Sequence, residues 1–167
     1  MSKRESVIVI GAGIGGLCSA LMLAPSGRQV LLLERDGAIA TDDPDDLFRD
    51  WRRTGVGHLR QSHAFLARLR NIMKAEHPKL IDQLMALGSR EITFEMMLTD
   101  VQQARYTPDP QDTEMTIITS RRTTLELAMR RYVETLENVT IRSGFLVKRL
   151  VTSKGVDGTI DVTGVTG

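Results

Sequence analysis

Residues 7–24, "VIVIGAGIGGLCSALMLA", decide the fold of this 167-residue chain. The stretch contains no charged residue, and Lys3 and Arg4 lie just ahead of it. Its length and polarity alone fit a membrane span or the hydrophobic part of a secretory signal. It also contains the pattern Gly-x-Gly-x-x-Gly, which is typical of nucleotide-binding loops. The residues on either side distinguish these interpretations.

The flanking residues predict strand, glycine turn, helix and strand in about 30 residues, which is one βαβ unit. Val7–Ile10 is a short apolar run of the kind found in buried parallel strands. Leu17–Ala24 has helical periodicity and ends at Pro25 and Gly27. Gln29–Glu34 is a second buried strand. The glycines would pack poorly as a spanning helix, and no signal cleavage site follows, so we expect no membrane span.

Each glycine of the motif has a physical task. Gly11 permits the tight turn, Gly13 lets the backbone approach a pyrophosphate, and Gly16 lets the helix pack closely on the sheet. The start of the helix then presents free N–H groups to the anion. Glu34 follows Gly13 by 21 residues, and a carboxylate there accepts hydrogen bonds from ribose hydroxyls and repels a 2′-phosphate. The pattern predicts an adenine dinucleotide other than NADP, but its spacing does not separate FAD from NAD.

Composition excludes several other classes. The chain is 41% hydrophobic and 26% charged, as in ordinary soluble proteins. A net charge of +1 and 4% aromatic residues give no basis for nucleic-acid binding. Cys18 is the single cysteine, which excludes an intrachain disulfide and fits a cytoplasmic location. The three histidines have no metal-ligand spacing, so we expect no metal site.

The rest of the chain reads as mixed helix and strand. Residues 36–62 predict a long loop with a helical turn near Leu47–Trp51, and residues around Asp157 and Gly158 predict a hairpin. Thr123 and Glu126 have the spacing of a capping box. The remaining predicted helices are His63–Ala75, Leu80–Leu87 and Thr123–Leu136, and the remaining predicted strands are Ile92–Leu98, Met115–Thr119, Val139–Arg142 and Phe145–Val151.

Three segments together resemble the N-terminal part of FAD-dependent monooxygenases of the aromatic-hydroxylase superfamily. They are residues 7–36, residues 51–70 ("WRRTGVGHLRQSHAFLARLR") and residues 120–134 ("SRRTTLELAMRRYVE"). The second is similar to a W-R-R-x-G-V-P-Q-x-R-Q-x-H-x-F-L pattern, and the third contains R-x-x-L-E. The resemblance implies an incomplete α/β fold over residues 1–167: a Rossmann-like FAD-binding domain with a parallel sheet, inserted helices and a small β-meander.

The resemblance also implies roles for individual residues. Arg122 would contact FAD, Arg35 would lie beside the adenine, and Arg60 and His63 would lie toward the flavin ring. Val147 would contact the adenine through its backbone, in the strand after "VTIRSG". The pyrophosphate and ribose contacts would come from Gly11, Gly13, Ile14, Gly15, Gly16 and Glu34. The chain departs from the family: Gly57 and His58 replace the Pro-Gln of the pattern, and Thr54 and Ser62 stand where prolines are common.

The activity that this resemblance implies is that of an oxidoreductase. FAD would be reduced by NAD(P)H, a transient reductant, and would use O2 to oxygenate a small organic substrate. No residue pattern identifies a catalytic group, a substrate or an oligomeric state. A later flavin-contacting segment and a substrate-binding sheet would follow Gly167, so we expect this chain alone to be incomplete for turnover. Two alternatives stay open: a flavin-dependent reductase or dehydrogenase of the same fold, and a non-catalytic nucleotide-binding fragment.

Overall fold

A computed structural model describes residues 5–167, so Lys3 and Arg4 lie outside the described range. The chain forms two compact units, residues 1–39 with 130–167, and residues 40–129. The strands are β1 (Ser6–Ile10), β2 (Gln29–Leu33), β3 (Ser62–Phe65), β4 (Arg90–Ile92), β5 (Ile117–Arg121), β6 (Val139–Arg142), β7 (Arg149–Lys154) and β8 (Ile160–Thr166). The helices are α1 (Ile14–Leu23), α2 (Pro44–Asp50), α3 (Ala67–Glu76), α4 (Pro78–Ala86), α5 (Asp100–Gln103) and α6 (Arg122–Glu134).

The first unit contains the predicted βαβ arrangement as a parallel sheet in the order β1-β2-β6. Val7 pairs with Val30 of the central strand, and Val30 pairs with Val139. Helix α1 packs its buried residues Leu17 and Ala20 as its periodicity predicts, although it begins at Ile14 rather than Leu17. The predicted α/β class with a parallel sheet is confirmed.

The glycine loop allows α1 to lie very close to the end of β1. Gly11 has φ +95°, a left-handed conformation that side chains disfavour. A Cβ added at Gly16 would lie 1.9 Å from the carbonyl oxygen of Gly11, which is closer than any real contact. A Cβ at Gly15 would meet no atom within 4 Å. Glycine is therefore required by packing at Gly16 but not at Gly15.

The β7-β8 hairpin of the first unit is confirmed at the predicted turn. Gly158 has φ +84°, and the Asp157 carboxylate accepts hydrogen bonds from the Thr159 amide and hydroxyl. The strand predicted over Phe145–Val151 is wrong in its first half, because β7 begins only at Arg149. Val147 therefore lies in the connection between β6 and β7 rather than in a strand.

The second unit contains an antiparallel sheet in the order β3-β5-β4. His63 pairs with Ser120 in β5, so the helix predicted to begin at His63 is wrong there. Residues 62–65 alternate between more and less exposed positions, which is the two-residue period of a strand. The first residues of the predicted helix therefore belong to a short apolar run, and periodicity alone does not decide between helix and strand for such a run.

Helix α3 buries a charged residue. Arg70 is buried and donates to the Glu91 carboxylate at 2.8 Å and to the Thr113 carbonyl at 3.2 Å. A charged side chain can be buried when it is paired and hydrogen-bonded, and the acceptors from other elements meet that condition for Arg70. The strand predicted over Ile92–Leu98 is also wrong, because β4 ends at Ile92 and a 3₁₀ turn covers Glu95–Met97.

The long C-terminal helix, α6, begins without the predicted capping box. Thr123 lies inside the helix, and its hydroxyl has no hydrogen-bond partner among residues 5–167. The Glu126 carboxylate instead pairs with the side chains of Arg53 and Arg122. A single helical turn was predicted near Leu47, and the structure has a longer helix there, α2. In the part of the chain that the structure describes, no helix is long and apolar enough to cross a membrane.

Replacing Gly16 by alanine should destabilise the first unit. The added Cβ would overlap the Gly11 carbonyl oxygen, so we expect a loss of about 1–3 kcal/mol in the free energy of unfolding, measured in urea. Gly15→Ala is the matched control, and it should leave stability unchanged or raise it by up to about 1 kcal/mol. Equal midpoints for the two variants would contradict the close approach.

Candidate nucleotide-binding site

The N-terminus of α1 is an open group of backbone amides. Gly13 precedes the helix in extended conformation, its carbonyl accepts the Leu17 amide at 2.9 Å, and no side chain caps the first turn. That turn carries no acidic residue. The first N–H groups of a helix lack intrahelical acceptors and lie at the positive end of its dipole. The structure thus gives residues 13–16 the features of an anion-binding loop.

Glu34 lies at the end of β2 and is tied to the glycine loop. It is 3% exposed, and one carboxylate oxygen, Oε2, accepts the Ala12 amide at 2.9 Å. The other oxygen, Oε1, accepts the Asp36 amide at 3.0 Å. Arg130, 2% exposed, donates to the Ala12 carbonyl at 2.9 Å and lies 3.4 Å from Oε2. The carboxylate therefore joins the loop, the strand end and α6 within the first unit.

The sequence predicted Glu34 but missed Arg130. Arg130 follows Glu126 by four residues and precedes Val133 by three, so all three share one face of α6. Val133 and Glu126 are both fully buried. An arginine on a buried helical stripe needs an anionic partner, and this was the available signal.

The segment proposed for the adenine lies beside Glu34 in the first unit. The Phe145 amide donates to the Glu34 carbonyl at 2.8 Å, and the Gly144 amide donates to the Asp36 carbonyl at 2.9 Å. The Arg142 guanidinium lies 4.5 Å from the centre of the Phe145 ring. Arg35 lies between Glu34 and Asp36 with its side chain largely exposed. The structure brings the Arg35 segment next to the chain that leads to Val147, which is half-buried.

Arg122, predicted to contact the cofactor, shares a buried carboxylate in the second unit. Its guanidinium donates to Glu126 Oε1 at 3.2 Å, and Arg53 Nη1 lies 3.7 Å from Glu126 Oε2. Glu126 is fully buried, and the side chains of Arg53 and Arg122 are 5% and 15% exposed. Two guanidinium groups therefore approach one buried carboxylate. Arg53 was not singled out from the sequence, and Glu126 was predicted only as the partner of Thr123 in a capping box, although it also belongs to the R-x-x-L-E pattern.

The structure also brings two histidines close to Arg122. Arg122 Nη1 lies 3.4 Å from His58 Nε2, and the His58 and His63 ring centres are 5.1 Å apart. His63 in turn stacks on Phe65. Arg60 has a different environment: its guanidinium donates to the carbonyls of Arg49 and Trp51, at the end of α2. Arg60 also lines a cleft of about 360 Å³ with other residues of the loop at 52–60.

The site residues named from the sequence fall into two groups. Arg60, His63 and Arg122 lie in the second unit, and the glycine-loop residues, Glu34, Arg35 and Val147 lie in the first.

Burial raises the pKa of the Cys18 thiol, which disfavours a thiolate there. Among residues 5–167, no three His, Cys, Asp or Glu side chains are placed to hold a metal ion.

Sequence comparison assigns the glycine loop to a known class. Residues 9–71 match the NAD(P)-binding Rossmann-like domain family. Over 62 residues the chain is also 40% identical to the L-amino-acid oxidase of Mus musculus. That match covers 35% of this chain and 9% of the oxidase. The Rossmann-like assignment made from the βαβ pattern is confirmed.

Structural comparison extends the likeness to nearly the whole chain. PqsL, a probable FAD-dependent monooxygenase from Pseudomonas aeruginosa, matches with a TM-score of 0.61 at 14% identity, over 95% of this chain and 37% of PqsL. The Diels-Alderase PyrE3 of pyrroindomycin biosynthesis gives 0.59 at 17% identity, over 95% and 30%. The oxygenase of 2-methyl-3-hydroxypyridine-5-carboxylic acid gives 0.54 at 14% identity, over 96% and 38%.

These matches show the class of fold. The chain has a Rossmann-like α/β fold that recurs within FAD-dependent monooxygenases, and the resemblance drawn from its three sequence segments is confirmed at that level. The matches cover 37% of the length of PqsL and 9% of the length of the oxidase.

Replacing Glu126 by glutamine should cost about 3 kcal/mol or more in the free energy of unfolding, because Arg53 and Arg122 would lose their shared buried counter-charge. Glu134→Gln is the control, since Glu134 forms an exposed pair with Arg131 at 2.9 Å on the same helix. That change should alter stability by less than about 0.5 kcal/mol, measured by urea unfolding. Similar losses in both variants would rule out a buried charge cluster.

Proposed function

We propose that the chain is the FAD-binding part of a flavin-dependent oxidoreductase, and that the whole enzyme is an NAD(P)H- and O2-dependent monooxygenase acting on a small organic substrate. Both units would belong to one FAD-binding domain. The observation that carries the proposal is the uncapped N-terminus of α1 beside the fixed carboxylate of Glu34.

The glycine loop supports binding of the pyrophosphate. Its backbone amides at Gly13, Ile14, Gly15 and Gly16 offer donors and the positive end of the helix dipole. Gly15 has no protein atom within 4 Å of an added Cβ, so its lack of a side chain leaves space at the loop rather than filling a packing need. These residues fit a diphosphate group better than a structural turn, which would not need glycine at position 15.

The segment around Glu34 supports binding of the adenosine end. Glu34 ends β2 beside the glycine loop, and its carboxylate is held there by the amides of Ala12 and Asp36, so we assign the ribose hydroxyls to this strand end. Arg35 and the backbone of Val147 would border the adenine.

The second unit supports FAD over NAD. Arg122 and Arg53 share the Glu126 carboxylate, and His58 and His63 lie nearby; we assign this cluster to the flavin side of the cofactor together with Arg60. The neighbours PqsL and the pyridine-carboxylate oxygenase are described as a probable FAD-dependent monooxygenase and an oxygenase.

Bound flavin would supply the redox chemistry, and the described residues would bind, orient and electrostatically support it. Arg122 would be held in place by Glu126, and the α1 amides would neutralise the diphosphate. PqsL has been crystallised with 2-aminobenzoylacetate, which supports a small organic substrate for this protein as well. A cytoplasmic location belongs to the same proposal and rests on the single cysteine.

A flavin-dependent oxidase or dehydrogenase is the second candidate. The 40% identity to an L-amino-acid oxidase over 62 residues favours it, since no solved neighbour named above reaches that identity. In the whole enzyme, consumption of NAD(P)H and O2 with one oxygen atom incorporated into an organic substrate would support the monooxygenase, and flavin reduction by an amine or amino acid without NAD(P)H would support the oxidase.

Purified protein titrated with FAD should show saturable binding, with a changed visible flavin spectrum and a raised melting temperature. ADP should compete, because it carries the adenine, ribose and diphosphate that we assign to the glycine loop and Glu34, and FMN should compete less well because it lacks the adenosine. Gly15→Leu is the designed negative variant: its side chain meets no protein atom within 4 Å of the Cβ but would occupy the diphosphate position. It should fold and bind neither FAD nor ADP.

Two results would contradict the proposal. A wild-type chain that neither FAD nor ADP stabilises would remove the cofactor assignment for these residues. Unchanged FAD affinity in folded Gly15→Leu would place the cofactor away from the glycine loop.

A further inference from the structure

We propose that Arg130 is a positioning residue that sets the direction of the Gly13 amide and so prepares the glycine loop before nucleotide binds. Arg130 belongs to the first unit together with the loop and Glu34. The inference rests on the proposed nucleotide site, but it concerns a residue that neither the glycine motif nor the R-x-x-L-E pattern includes.

Arg130 closes a ring of contacts around one peptide. Its Nη2 donates to the Ala12 carbonyl at 2.9 Å and approaches Glu34 Oε2 at 3.4 Å, and the same Oε2 accepts the Ala12 amide at 2.9 Å. Both polar groups of Ala12 are therefore held by one ion pair. Ala12 itself is fully buried, so water does not compete for them.

The planarity of the next peptide carries this constraint to Gly13. In a trans peptide, the carbonyl of one residue and the N–H of the following residue point in opposite directions. The Ala12 carbonyl is held by Arg130, so the Gly13 N–H is aimed away from Arg130. Glycine has little intrinsic preference among backbone conformations, and Gly11 already adopts the left-handed region. The local sequence therefore does not fix the direction of the peptide between Ala12 and Gly13, and a contact from outside the loop is needed to fix it.

Arg130 also changes the charge that an approaching anion meets. Glu34 is tied to the loop through Ala12, and an unpaired carboxylate there would repel a diphosphate. The guanidinium of Arg130 balances that charge from within the protein, where screening is weak. Because Arg130 is 2% exposed, it would act through the loop and not by touching the nucleotide.

The test compares Arg130→Met, Arg130→Lys and Glu34→Gln with the control Arg131→Met. Arg131 is the next residue of the same helix and pairs with Glu134 at the surface, so its loss removes an arginine without touching the loop. Hydrogen exchange of the Ala12 and Gly13 amides is measured in the free protein, and the dissociation constant for ADP is measured by calorimetry.

We expect Arg130→Met to speed exchange at Ala12 and Gly13 and to weaken ADP binding by about 10- to 100-fold, the range expected for a hydrogen bond to a charged group. Arg130→Lys should recover part of both effects, and Arg131→Met should show neither. Arg130→Met and Glu34→Gln combined should weaken binding by less than the product of the two single effects, because the residues act as one unit.

Exchange rates and ADP affinity in Arg130→Met that equal those of Arg131→Met would overturn the proposal. If Arg130→Met does not fold, the same comparison is made between Arg130→Lys and Arg131→Lys. If the wild-type chain binds no ADP, the proposed function fails, while exchange in the free protein still decides whether Arg130 orders the loop.

Discussion

The hydrogen bond from the Ala12 amide to the Glu34 carboxylate is the constraint on which the first unit depends. It joins the turn after β1 to the residue after β2, two points separated by 22 positions in sequence. With Glu34 fixed, Arg130 is drawn inward from α6, and the Phe145 amide meets the Glu34 carbonyl at the end of β6. The Glu34 carboxylate thus contacts the loop and α6, and its backbone carbonyl holds the segment that follows β6.

Most of this unit could be predicted because its signals are local. The strands, the glycine turn and α1 follow one another within residues 6–33, and Gly11 and Gly16 specify their close packing. Val147 was misplaced because strand ends depend on pairing, and β7 pairs only from Arg149. Arg130 was missed because its partners lie 96 and 118 residues away, a distance that no local pattern covers.

The second unit was predicted less well because its structure depends on contacts between distant segments. Ser62–Phe65 becomes a strand through pairing with β5, and Arg70 is buried because Glu91 and Thr113 satisfy it. The motif residue Arg122 lies at the start of α6, and its contact with FAD stays a prediction. Its buried partner Glu126, and Arg53 beyond it, required the structure, since the sequence favoured a capping box at Thr123.

The central claim is that the glycine loop and Glu34 together receive an adenine dinucleotide. A titration of isotope-labelled protein with ADP, followed by amide NMR shifts, tests it most directly. The account predicts saturable shifts concentrated at residues 12–16 and 34–36, with further changes near residues 144–147. Shifts that cluster elsewhere, or a spectrum that ADP leaves unchanged, would contradict it.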